Sequence, residues 1–156
     1  MDRINHVKIR TPHPEIVDAF LTQVCEVPSG WPLTPGSEHL PPDAPLGPGG
    51  TLELAELTGD PDADGQARDG FIVGDETSRQ FQVFGSPTPK IWAVCVGSRH
   101  IERAHARCVE RGIPATPIWV ADWNERDDIR NFFCRVDGLT FEVIRVEPKP
   151  TKGTDG

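Results

Sequence analysis

Residues 91–112, IWAVCVGSRHIERAHARCVERG, read as a strand leading straight into a helix. The first six are rich in β-branched and aromatic side chains, and Gly97-Ser98 breaks the run. Ile101, Ala104, His105, Cys108 and Val109 then recur on one helical face until Gly112, with Pro114 just beyond as a stop. Downstream, 117–123 (PIWVADW), 131–136 (NFFCRV) and 139–146 (LTFEVIRV) are three further strand-like runs separated by turn signals. The predicted order is βαβββ.

The same order is predicted upstream. Residues 4–10 alternate like a strand, Pro12 and Pro14 end it, and 15–26 place Ile16, Ala19, Phe20 and Val24 at helical spacing. Strand-like runs follow at 51–57 (TLELAEL), 70–74 (GFIVG) and 79–84 (RQFQVF). Ile16 and Ile101, like Ala19 and Ala104, stand 85 apart, which sets His6 opposite Ile91; Phe81 and Phe141 stand 60 apart, which sets Gln82 opposite Glu142. An α+β unit over 3–147 is expected, built from tandem βαβββ modules at 3–86 and 89–147, with a polar tail at 148–156. The change in spacing locates an insertion at 28–50, where 7 Pro and 5 Gly in 23 positions forbid a regular element. Such a segment is either a lid, with Trp31, Leu33, His39 and Leu40 as contacts, or a passive excursion.

Lys+Arg 16 against Asp+Glu 24 leaves a formal charge of −8 on 156 residues, one compact unit's worth of chain. That charge, with no basic run, argues against nucleic acid and anionic membranes as partners. The start MDRINHVKIR is charged where a signal peptide needs an apolar run, and no apolar stretch reaches membrane-spanning length, so a cytoplasmic location is expected. Cys25, Cys95, Cys108 and Cys134 show no C-x-x-C spacing and lie in apolar segments, as buried reduced thiols would.

With I-N-H-V at 4–7 and G-L-T-F-E-V-I at 138–144, the tandem chain resembles the vicinal oxygen chelate superfamily, the glyoxalase, bleomycin-resistance and extradiol dioxygenase group. The resemblance implies a curved mixed sheet around a central cavity, a homodimer, and a divalent metal held from the first and last strand of each module. The matching positions are His6, Gln82, Ile91 and Glu142. His6, Gln82 and Glu142 offer nitrogen and oxygen donors suited to Mn, Fe, Co, Ni or Zn. Ile91 departs from the family's second His. The remaining three ligands then hold a metal with water or substrate oxygens, or His39 becomes a fourth ligand, or no metal binds. A Gln at position 82 is similar to the methylmalonyl-CoA epimerase branch. The implied function is metal-assisted isomerisation, epimerisation or lyase chemistry on a small molecule beside a carbonyl; the alternatives are a metal-free sequestering protein and, third, an extradiol-type dioxygenase.

A carboxylate at Glu142, between Phe141 and Val143, is costly unless it meets a cation, metal or donor, which marks it as ligand or general base, or else as the partner of Lys8 or Arg10 in a salt bridge across the sheet. Glu53, on an alternating run, is a second candidate base. Lys8 and Arg10 suit an anionic substrate, and Trp31 and His39 reach it from the insertion. The run DPDADG at 60–65 starts like a calcium loop, but Phe71 stands where the bidentate Glu belongs, so an acidic hairpin turn is expected. His100 and His105, five apart, do not form a helical metal pair; His105 and Trp92 are expected to pack.

Overall fold

A computed structural model of the chain describes residues 7–30, 38–53, 70–74, 80–85, 89 and 91–150. His6, Trp31, Leu33 and the acidic turn at 60–65 lie outside the described residues. Among the described residues the protein is an α+β fold with two sheets and few helices.

The first helix, α1 (Pro14–Ala19), continues as a wider helical turn over Phe20–Val24. Proline suits its first position, where an amide hydrogen would have no partner in the helix. The Cys25 N–H closes on the Phe20 carbonyl, five residues back, at 3.0 Å, and within the same turn the Thr22 hydroxyl donates to the Asp18 carbonyl at 2.8 Å.

Strands β1 (Gly70–Gly74) and β2 (Gln80–Phe84) pair antiparallel as a two-stranded sheet of their own. The second half follows the predicted order: β3 (Val94–Gly97), α2 (Ile101–Glu110), β4 (Trp119–Asp122), β5 (Asp127–Val136) and β6 (Leu139–Pro148). They form a sheet ordered β3-β6-β5-β4 in which β3 runs parallel to β6 and the other pairs are antiparallel. Asp137 and Gly138, at φ 49° and 80°, make the tight β5–β6 turn.

Strand alternation divides this sheet into two faces. Phe132, Cys134 and Val136 of β5 and Phe141 and Val143 of β6 are buried in one cluster with Ile101, Ala104 and Cys108 of α2 and with Val17, Phe20 and Val24 of the first helix. The Phe20 and Phe141 rings lie 4.9 Å apart. Both helices therefore cover one face of one sheet. The buried triad Val17, Phe20, Val24 repeats as Ile101, Ala104, Cys108 at a spacing of 84, one less than the expected 85, so burial sets Val7 rather than His6 opposite Ile91.

Three expectations of the first half are met differently. Residues 7–10 are not a strand. The Asp137 carboxylate instead holds the chain just beyond them: it accepts from the Thr11 hydroxyl and, at 2.8 Å, from the His13 N–H, with the His13 ring Nδ1 also at 2.8 Å. A strand without a neighbour to take its hydrogen bonds has nothing to hold it extended. Of the run expected at 51–57, Thr51 forms a single bridge to Ala115, and 54–57 lie outside the described residues. Within the insertion, 38–50 is pinned to the end of α2. The buried Arg111 donates Nε to the Ala44 carbonyl at 3.0 Å, Nη2 to that of Pro41 at 2.9 Å and Nη1 to Gln23 Oε1 at 2.5 Å. Leu46 is 2% exposed.

Three cysteines, 25, 108 and 134, are buried thiols as expected, whereas Cys95 is exposed because it alternates with Val94 and Val96 and falls on the face away from the helices. Among the described residues no helix is long and apolar enough to cross a membrane.

Candidate functional site

The face away from the helices carries Cys95 of β3, Thr140 and Glu142 of β6, and Asn131, Phe133 and Arg135 of β5. Glu142 lies at its middle, with Cys95 and Phe133 as its direct partners on the two flanking strands. Phe133 is 4% exposed, yet it stands apart from the helix-packed cluster. Two indoles cover it: Trp92 at 5.4 Å and 29° between planes, and Trp119 at 5.7 Å and 24°. Trp92 belongs to the segment entering β3 and stacks on a residue of β5, so it reaches across β6, the strand that carries Glu142.

Glu142 is half-buried and has no hydrogen bond or ion pair among the described residues; burial alone pushes its pKa up to about 7. A carboxyl poised near neutrality can both take and return a proton in ordinary buffer, which is what a general base needs.

Arg135 belongs to the same face two residues beyond Phe133. Its side chain is half-buried, and its Nε is buried with no acceptor among the described residues. The other buried or half-buried arginines with side-chain contacts are well supplied: Arg130 and Arg145 meet Glu102 and Glu147, Arg107 meets Glu26, and Arg111 meets its three oxygens.

The remaining candidates are dispersed. Gln82 is exposed on β2, opposite Ile72 in the separate hairpin. Glu53 is exposed just after the Thr51–Ala115 bridge, and Lys8 and Arg10 are exposed ahead of α1. His39 is exposed on the helix layer, its Nδ1 2.6 Å from Asp18 Oδ2. Ile91 is 88% exposed just before β3. No three His, Cys, Asp or Glu side chains cluster to hold a metal among the described residues. His105 packs as expected, with Nε2 2.9 Å from the Thr116 carbonyl and its ring edge-on to Phe132. On the helix side, a groove of about 310 Å³ between Thr51, Val109 and Pro117 borders His105.

Phe133, Arg135 and Trp119 were not singled out as site residues in the sequence. The signal is present: NFFCRV alternates, so Phe133 and Arg135 share a parity opposite to that of the fully apolar Phe132, Cys134 and Val136. No protein-family model, curated protein or solved structure matches the chain.

Proposed function

We propose that the protein is a small-molecule enzyme of the vicinal oxygen chelate type that moves a proton beside a carbonyl, with Glu142 as the base. The observation that carries this reading is the position of Glu142: a mid-sheet carboxylate, half-buried, unpaired among the described residues, beside an aromatic wall. The resemblance of 138–144 to the family's last strand supports it, as does the βαβββ order of residues 94–148. In the reaction Glu142 takes the proton from the carbon next to the carbonyl. The C–H electron pair passes into the enolate, and the same carboxyl returns the proton to that carbon or its neighbour. Burial keeps water from the carboxyl, so its basicity is preserved until substrate arrives.

A divalent Mn, Fe, Co, Ni or Zn ion, where bound, would supply Lewis-acid stabilisation of the enolate oxygen. His6, Gln82 and Glu142 are suitable donors by type, but Gln82 belongs to the separate hairpin and His6 lies outside the described residues, so the set is not assembled among them. The homodimer is part of the same reading, supported by the exposed apolar face of the hairpin, where Phe71 pairs with Val83 and Val73 with Phe81.

The test is deuterium exchange at C3 of 2-oxobutyrate in D2O, followed by proton NMR with and without each of the five metal ions. Exchange that falls about 100-fold or more in Glu142→Gln is expected for a general base. Equal exchange in both proteins, with or without metal, overturns the reading. The second reading, a metal-free sequestering protein, rests on the Trp92–Phe133–Trp119 stack as a surface for a flat ligand; binding of an aromatic ligand without any exchange favours it.

A further inference from the structure

We infer that Arg135 is the specificity-determining residue of this face: it holds the carboxylate of an anionic substrate whose neighbouring carbon lies against Glu142. The inference rests on the proposed proton-transfer reading and adds to it a substrate class, small carboxylate-bearing carbonyl compounds.

Three observations carry it. Arg135 shares a face and a strand pair with Glu142: its direct partner on β6 is Thr140, two residues before Glu142. Diagonal neighbours of this kind lie about 7–8 Å apart, room for the two or three carbons that separate a carboxylate from a reacting C–H bond. Next, the Arg135 Nε is buried without an acceptor among the described residues. A buried guanidinium donor left unsatisfied is costly, and a carboxylate bound in a fork would satisfy Nε together with one Nη. Finally, the chain carries a formal charge of −8, so an anionic ligand is repelled overall and needs a local cation at its site. The exposed Lys8 and Arg10, proposed from the sequence for that role, lie ahead of α1, whereas Arg135 is on the sheet face itself.

Glu142 and Arg135 do not neutralise one another: the Arg135 Nε has no acceptor among the described residues, and burial is the one cause that shifts the Glu142 carboxyl. The cation is thereby left to the ligand and the carboxyl to the proton. Thr140 pairs with Arg135 and precedes Glu142 by two on the same face, and its hydroxyl can both donate and accept.

The probe is benzoate, whose ring suits the aromatic wall and whose carboxylate suits Arg135, compared with its neutral isostere benzamide by isothermal titration of the full chain. Benzoate is expected to bind about tenfold or more tightly than benzamide. In Arg135→Gln that preference falls to about twofold or less, and in Arg135→Lys, which keeps the charge but loses the planar fork, it falls part-way. Equal affinity for the two probes in the unaltered protein overturns the inference, as does a preference that survives in Arg135→Gln. If Arg135→Gln does not fold, as judged by circular dichroism, the comparison of the two probes in the unaltered protein and in Arg135→Lys decides. Deuterium exchange that depends on Glu142 without any benzoate preference would refute Arg135 alone; benzoate preference without exchange would refute the proton-transfer reading and leave the anion site standing.

Discussion

Glu142 stands directly across the β5–β6 ladder from Phe133, so a carboxyl and a doubly stacked aromatic ring share the centre of the sheet face that the helices leave uncovered. The pairing ties stability to pH. Burial raises the Glu142 carboxyl to about 7 from an ordinary 4.5. Between those values the folded chain retains a proton that the unfolded chain has released, so this group makes stability fall as pH rises, and above about 7 the deficit is constant. Glu142→Gln removes the penalty. It is expected to gain on the order of 2 kcal/mol at pH 8 and little at pH 4.5, read by urea denaturation at the two pH values. A variant no more stable than the parent at pH 8 would show that the carboxyl is solvated.

The glycine contact between the insertion and α2 yields a second prediction. Gly112 has φ +77°, and a Cβ there would lie 2.6 Å from the Gly47 carbonyl oxygen; a Cβ on Gly47 would meet the Gly112 oxygen at 2.6 Å. Neither neighbour is a flexible side chain, so the backbone must shift. Gly112→Ala is expected to cost about 1–3 kcal/mol, because backbone strain and close approach act together. Gly47→Ala relieves no strain but opens the same contact, so the double variant should cost less than the sum of the two.

Arg111 carries the third. It joins three carbonyl-type oxygens from two segments that hold no regular structure in common, Gln23 at the end of the first helix and Pro41 and Ala44 of the insertion. Arg111→Met keeps the bulk but strands those acceptors, at a cost of about 2–4 kcal/mol. The loss should be local as well as global: amide exchange at Ala44 and Leu46, whose N–H groups bond to Pro41 and Arg111 carbonyls, should accelerate more than exchange in β5. Uniform acceleration would mean that Arg111 is only one contact among many.

The second half was legible because two different periods sit side by side in it. A β-rich run ends at Gly97, a helical period starts at Ile101, and three alternating runs follow with short turns, so local pattern and pairing agree. Glu142 stood out for the same reason, as a charge inside an apolar alternation. The first half was harder because its decisive interactions are between distant residues. Nothing near residues 7–13 announces that Asp137, more than a hundred positions away, holds the chain there. Nothing in a Pro/Gly-rich insertion announces that an arginine at the end of α2 will bind three of its neighbourhood's oxygens. Phe133 and Arg135 could have been found by parity; the stacking of Trp92 across an intervening strand could not, because it depends on the β3-β6-β5 order.

The contact of His13 with Asp137 gives the last prediction, and its pH dependence changes sign at mildly acidic pH. Asp137, hydrogen-bonded first by the Thr11 hydroxyl and then by His13, is held below its ordinary 3.8, so its contribution is present above that value and is lost as pH falls through the lower folded one. His13 is held above its ordinary 6.5 by its hydrogen bond to Asp137, so its contribution is full below 6.5 and is lost as pH rises through the higher folded one. The tie is therefore strongest at mildly acidic pH. In an NMR titration the His13 ring should titrate above 6.5 in the parent and move back towards it in Asp137→Ala. The same substitution should increase amide exchange at the start of α1, where the His13 N–H loses its acceptor and the Ile16 N–H depends on the His13 carbonyl being held in place. A His13 titration that is unchanged in Asp137→Ala would show that the two side chains do not meet in solution.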